Sequence, residues 1–124
     1  MLNTCDIIAF VTTARPEQAR NFYADVLGLR LVSDDPFALV FDAHGTVLRV
    51  SKSPEHAPAP HTVLGWQVPD VRAAVRSLRD AGVTFNRYDA LEQDDLGIWT
   101  APGGARVAWF KDPDGNTLSL TQFG

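Results

Sequence analysis

The sequence predicts an α+β fold built from two similar halves. Three observations predict it. An apolar strand followed by an amphipathic helix occurs twice along the chain. Each helix runs into a glycine, Gly28 or Gly82, where a left-handed residue would end it. Further strand patterns follow each glycine, and the last of them comes after Asp112-Pro113-Asp114-Gly115-Asn116, a tight turn with the residues a turn needs.

In the first half, residues 7–11 form a short apolar strand. Pro16 opens a helix, where its fixed φ and missing N–H do no harm. Ala19, Phe22, Tyr23, Val26 and Leu27 recur at helical spacing and make one buried stripe, with Glu17, Arg20 and Asp25 outside it. Residues 29–33, 37–41 and 46–50 read as three strands. Asp34-Asp35-Pro36 and His44-Gly45 are the turns between them. Phe37 and Phe41 fall on one face of their strand and are expected to pack in the core.

The second half repeats the plan. Residues 63–68 are a strand, and Asp70 is a helix N-cap. Val71, Val75 and Leu78 form the apolar stripe; Arg72, Arg76 and Arg79 line the wet side. Strands are expected at 83–85, 97–100, 105–110 and 117–121. Gly103-Gly104 and Asp114-Gly115 mark hairpin turns. Residues 1–124 are thus one domain of two modules, about 5–52 and 61–123, joined by a proline-rich linker, 53–60.

Composition narrows the function. The chain is 45% hydrophobic and 21% charged, so a packed globular core is expected. A formal net charge of −4 argues against nucleic acid, which needs a basic face. No apolar stretch is long enough to span a membrane. The single cysteine, Cys5, allows no internal disulfide and reads as a buried small hydrophobe. With no signal-peptide pattern at its start, the chain is expected in the cytoplasm. His44 and His56 lie in turn-like contexts. A calcium-loop reading of the 112–116 turn fails, because the other spaced ligands and the terminal glutamate are missing. No nucleophile–histidine pair or phosphate-cradling glycine loop can be read.

Phe22-Tyr23-Ala24-Asp25-Val26-Leu27-Gly28-Leu29 and Asp112-Pro113-Asp114-Gly115-Asn116 are each modest signals alone. In combination, and in that order, they resemble the vicinal oxygen chelate superfamily of glyoxalase, bleomycin-resistance and extradiol-dioxygenase relatives. The resemblance covers roughly residues 6–122. It implies two βαβββ modules whose sheets curve around a cavity, usually within a homodimer. It also implies a divalent metal held by His and Glu, which are suitable donors.

The residues at the corresponding positions differ. The last ligand position is Ser119, that of the second half's first strand is Val63, and that at the end of the first half is Arg49. The first-strand position falls on Asp6 or Ile8. No cofactor is therefore expected; a rearranged metal site using Asp6 and His61 is the alternative. Arg49 would bring positive charge to the site and oppose a cation.

Strand alternation then orients the remaining candidates. With Val63 facing the cavity, His61, Gly65 and Gln67 face it too, as do Val47, Arg49, Ser51, Thr117, Ser119 and Thr121. Trp99 and Trp109 either pack in the core or stack on a flat ligand, as bleomycin-resistance relatives stack theirs. The run Glu92-Gln93-Asp94-Asp95 is a solvated loop or meets a cationic ligand. The expected function is binding or sequestration of a small planar or anionic molecule, with Arg49 pairing a carboxylate or phosphate. The alternatives are a lyase, isomerase or dioxygenase with a rearranged metal site or metal-free catalysis, and a partner-binding module with a vestigial pocket.

Overall fold

The computed structural model describes residues 1–124. The chain divides into two compact units, Met1–Ala57 and Pro58–Gly124.

The first unit begins with a 3-10 turn at Leu2–Thr4, which places Cys5 in solvent rather than in the core expected for it. Strand β1 (Ile8–Thr13) leads to α1 (Pro16–Asn21), with Pro16 in its first turn. The helix does not continue in α form. Residues Phe22–Val26 widen into a π turn, with the Leu27 N–H bonding back to Phe22 O at 2.9 Å. Apolar spacing over so few residues does not separate the two forms. Gly28, at φ 75°, ends the element as predicted. The strands β2 (Arg30–Asp34), β3 (Ala38–Ala43) and β4 (Thr46–Lys52) follow. The sheet order is β1-β4-β3-β2, with β1 parallel to β4 and the other pairs antiparallel.

One face of this sheet is the core. Leu39, Phe41, Leu48 and Val50 are buried on paired positions of β3 and β4, beneath the fully buried Tyr23. The Tyr23 and Phe41 rings lie 5.8 Å apart. Each such large side chain contributes about 1.5–3 kcal/mol by leaving water. Phe37 is not part of this core. It precedes β3 in the 35–37 bend and is 74% exposed, so strand alternation does not apply to it.

The second unit has the same plan. Strand β5 (Thr62–Gln67) precedes α2 (Val71–Asp80). Asp70 is the N-cap, its carboxylate accepting the Ala73 N–H at 3.0 Å. Val71 and Val75 are buried, and Gly82 (φ 99°) stops the helix. Strands β6 (Trp99–Thr100), β7 (Arg106–Lys111) and β8 (Thr117–Gln122) complete a sheet ordered β5-β8-β7-β6. The expected strand at 83–85 is only a single bridge, Phe85 to Phe110, and the one at 97–100 shrinks to Trp99–Thr100. Side-chain bonds, described below, hold that stretch in place of a ladder. Phe110, Leu118, Leu120 and Ala108 form the buried face.

The last hairpin turns on Asp112, a buried carboxylate. Its Oδ1 accepts the Asp114 and Asn116 N–H groups at 2.9 and 3.0 Å, and its Oδ2 accepts Asn116 Nδ2 at 2.9 Å. The motif's role in the fold is therefore to satisfy its own turn.

Candidate functional site: the open face of each sheet

In the first unit, Ile8 and Phe10 on β1 lie beside Val47 and Arg49 on β4. These positions alternate with the buried ones, so they share the open face. Ile8, Phe10 and Val47 are exposed. Arg49 is half-buried between Phe10 and Val40, its register partners, and its guanidinium makes no ion pair or hydrogen bond within the chain. Its charge nevertheless reaches Asp35. The Phe37 and Ala38 N–H groups are the larger reasons that this carboxyl sits below its ordinary pKa, and Arg49 adds to them. Asp6 is exposed and precedes the strand.

In the second unit, Gly65 and Gln67 on β5, Ser119 on β8 and Trp109 on β7 share the open face. A bulge at Val63 breaks the alternation there, so the count that oriented His61 does not reach it. His61 is exposed and lies outside the strand. Trp99, opposite Val107, brings its ring centroid to 6.0 Å from Trp109, at 34° between planes. Neither indole is fully buried. Tyr88 meets Trp109 edge-on, 5.5 Å away at 89°. The result is a half-exposed aromatic group of three rings on one face.

Sequence pattern did not find Tyr88, because it lies in the irregular 81–98 stretch. Gln93 sets its place. The Gln93 Oε1 accepts the Tyr88 N–H at 2.7 Å, and its Nε2 donates to Asn86 O and Gly97 O at 3.0 and 2.9 Å. One amide thus ties three backbone positions and holds the segment against β6. The acidic run is likewise structural in part. Asp94 accepts the Leu96 and Ile98 N–H groups and binds Arg72 at 2.9 Å.

At the positions that correspond to the family's ligands, Val63 offers no lone pair, Ser119 a neutral hydroxyl and Arg49 a cation, while the first-strand position is either the Asp6 carboxylate or Ile8. No group of three or more His, Cys, Asp or Glu side chains is close enough to hold an ion. No helix is long and apolar enough to cross a membrane.

Comparison with known proteins agrees with this architecture. The chain covers 97% of itself and 98% of a bleomycin resistance determinant encoded on transposon Tn5, with a TM-score of 0.75 at 18% identity. A lactoylglutathione lyase from Agrobacterium tumefaciens gives a TM-score of 0.74 at 16% identity, covering 95% of this chain and 93% of that one. A superfamily member from Sphaerobacter thermophilus is 26% identical, with a TM-score of 0.71 over 94% of this chain and 96% of that one. The comparison with curated proteins gives no match. The family description "Glyoxalase/Bleomycin resistance protein/Dioxygenase superfamily" matches residues 4–120. With its two four-stranded sheets of like order and the match over nearly its whole length, the chain belongs to that superfamily.

Proposed function

We propose that this chain binds and sequesters a small planar or anionic molecule, and does so without a metal. The observation that carries the reading is the Trp99–Trp109–Tyr88 group on the open face of the second sheet. Aromatic rings left half-exposed beside small and polar side chains suit a flat ligand. Each well-placed ring contact adds about 0.5–1.5 kcal/mol beyond area burial. Gln67 and Ser119 on the same face supply polar groups to orient it. In the first unit, the unpartnered Arg49 supports recognition of a carboxylate or phosphate. The relative encoded on Tn5 is named for drug resistance, and resistance by sequestration is the corresponding expectation here.

A homodimer is part of the proposal. Ile7, Ile8, Phe10 and Val47 expose apolar surface on the first unit, which a second copy would cover. Light scattering on a sizing column reads the mass directly, and a monomer at working concentration would remove this part.

The test of binding is titration of tryptophan emission with a panel of planar aromatic compounds, neutral and anionic. Saturable quenching is expected, weakened in Trp109→Ala, with the compound recovered unchanged by mass spectrometry. Absence of saturable quenching across the panel would sink the reading. Catalysis without a metal is the second reading, favoured by the free guanidinium of Arg49, which would stabilise developing negative charge. Turnover of a bound compound, lost in Arg49→Ala with binding kept, would establish it instead.

A further inference from the structure

We propose a second ligand site, at the outer edge of β6, for a small zwitterion of the amino-acid class. A cleft of about 400 Å³ lies there, lined by Glu92, Trp99, Thr100 and Arg106, with Gln93, Asp94 and Ile98 completing it. That volume is at the small end of ligand pockets and suits a small molecule.

Two of the lining side chains are held within the chain. Gln93 is held by its three hydrogen bonds, and Asp94 by two backbone N–H groups and Arg72. Arg72 also offsets the Asp94 charge. Two formal charges in the cleft then remain without a partner, Glu92 and Arg106. They are opposite in sign, yet they do not pair with each other. No salt bridge joins them, although ion pairs form at other places in the chain, Arg72–Asp94 at the cleft itself among them.

Opposite charges that line one cleft without meeting select for a ligand that carries both. An ammonium group would go to Glu92 and a carboxylate to Arg106, whose fork binds carboxylates in two-point fashion. A ligand of a single sign meets attraction at one wall and repulsion at the other. The Thr100 hydroxyl, also in the lining, offers a donor and an acceptor, and the Trp99 indole would cover the ligand's methylene groups or meet its ammonium. The site shares Trp99 with the aromatic face, but neither Trp109 nor Tyr88 lines it, and its two charges take no part in the planar-ligand reading. Trp99 lies 6.0 Å from Trp109 while lining the cleft, so indole emission reports occupancy.

The experiment titrates the full chain with zwitterions of increasing length, from glycine through γ-aminobutyrate to ε-aminocaproate. Methylamine and acetate are the single-charge probes. A saturable emission change is expected for one chain length. Affinity should fall about tenfold or more in Glu92→Gln and in Arg106→Gln, as for loss of a charge-assisted hydrogen bond. The exchanged double variant, Glu92→Arg with Arg106→Glu, keeps both charges and should recover binding. Trp109→Phe should bind the zwitterion as well as the parent does, which separates this site from the aromatic face. Three results would each overturn the proposal: no probe saturates, binding survives both single substitutions, or methylamine or acetate binds as tightly as the best zwitterion.

Discussion

A β-carbon added at Gly65 would lie 2.5 Å from the Ser119 hydroxyl oxygen on the neighbouring strand, and 3.4 Å from the Ser119 carbonyl oxygen. These two residues are register partners on the open face of the second sheet. The serine side chain occupies the space that any larger residue at position 65 would need.

The coupling is measurable. Gly65→Ala should destabilise the chain by about 1 kcal/mol, since overfilling a packed site commonly costs ~1–3 kcal/mol and a serine can turn aside. In a Ser119→Ala background the same change should cost little. A double-mutant cycle from chemical denaturation measures the difference, and additive effects would show that the contact does not matter.

The donor chemistry at Arg49, Val63 and Ser119, with Asp6 or Ile8 at the fourth position, gives a second outcome. Mn²⁺, Ni²⁺ and Zn²⁺ should leave the melting temperature unchanged, because an ion that does not bind the native state cannot stabilise it by mass action. A concentration-dependent rise with any of them, lost in Asp6→Ala or His61→Ala, would restore the displaced metal site.

The β3–β4 hairpin holds a third. Its two-residue loop has φ 50° at His44 and 89° at Gly45, the doubly positive turn that fits sheet twist. Asn-Gly is the favoured pair for this turn, and asparagine enters the left-handed region at less cost than histidine because its short polar side chain can bond locally. His44→Asn should raise stability by about 0.5 kcal/mol, read as a shift in the denaturation midpoint without a change in slope.

Acid should loosen the first unit. Asp34 titrates below its ordinary 3.8, chiefly through the Lys52 hydrogen bond at 2.6 Å, with Arg20 adding at 2.9 Å. The Phe37 and Ala38 N–H groups lower Asp35, and the Gly45 N–H followed by Arg30 lowers Asp42. A carboxyl whose folded value is depressed contributes fully above its unfolded value. It loses that contribution as pH falls from there through the folded value. Stability should therefore hold from neutral pH to about pH 4 and decline below it. The groups are exposed, so the decline is shallow. Asp34→Asn should be less stable at neutral pH and flatter in acid; an unchanged pH profile of the melting temperature would remove Asp34 from the account.

Local chemistry made much of this legible in advance. Asp70 caps α2 because its partner is three residues away, and Gly28 and Gly82 stop their helices because few other residues accept positive φ. The open-face positions of Arg49, Gln67 and Ser119 follow from a period of two. That logic fails where the period breaks. The bulge at Val63 cuts His61 off from the count. Tyr88 joins the tryptophans through Gln93, whose three bonds reach both backward and forward along an irregular segment. No periodicity records such a tie, so the aromatic group was seen only as two rings. Cys5 follows the N-terminal 3-10 turn and Phe37 stands just before β3, and in neither place does apolar character alone imply burial.

The sheet orders also carry a consequence for synthesis. The partner of β5 is β8, the last strand of its unit. On a growing chain, Thr62–Gln67 has no sheet neighbour until Thr117–Gln122 has left the ribosome. The first sheet has all its strands once Lys52 has emerged. A nascent chain paused before residue 117 would therefore display Trp66, Trp99 and Trp109 on unfinished sheet, a surface that holding chaperones recognise and that aggregation exploits.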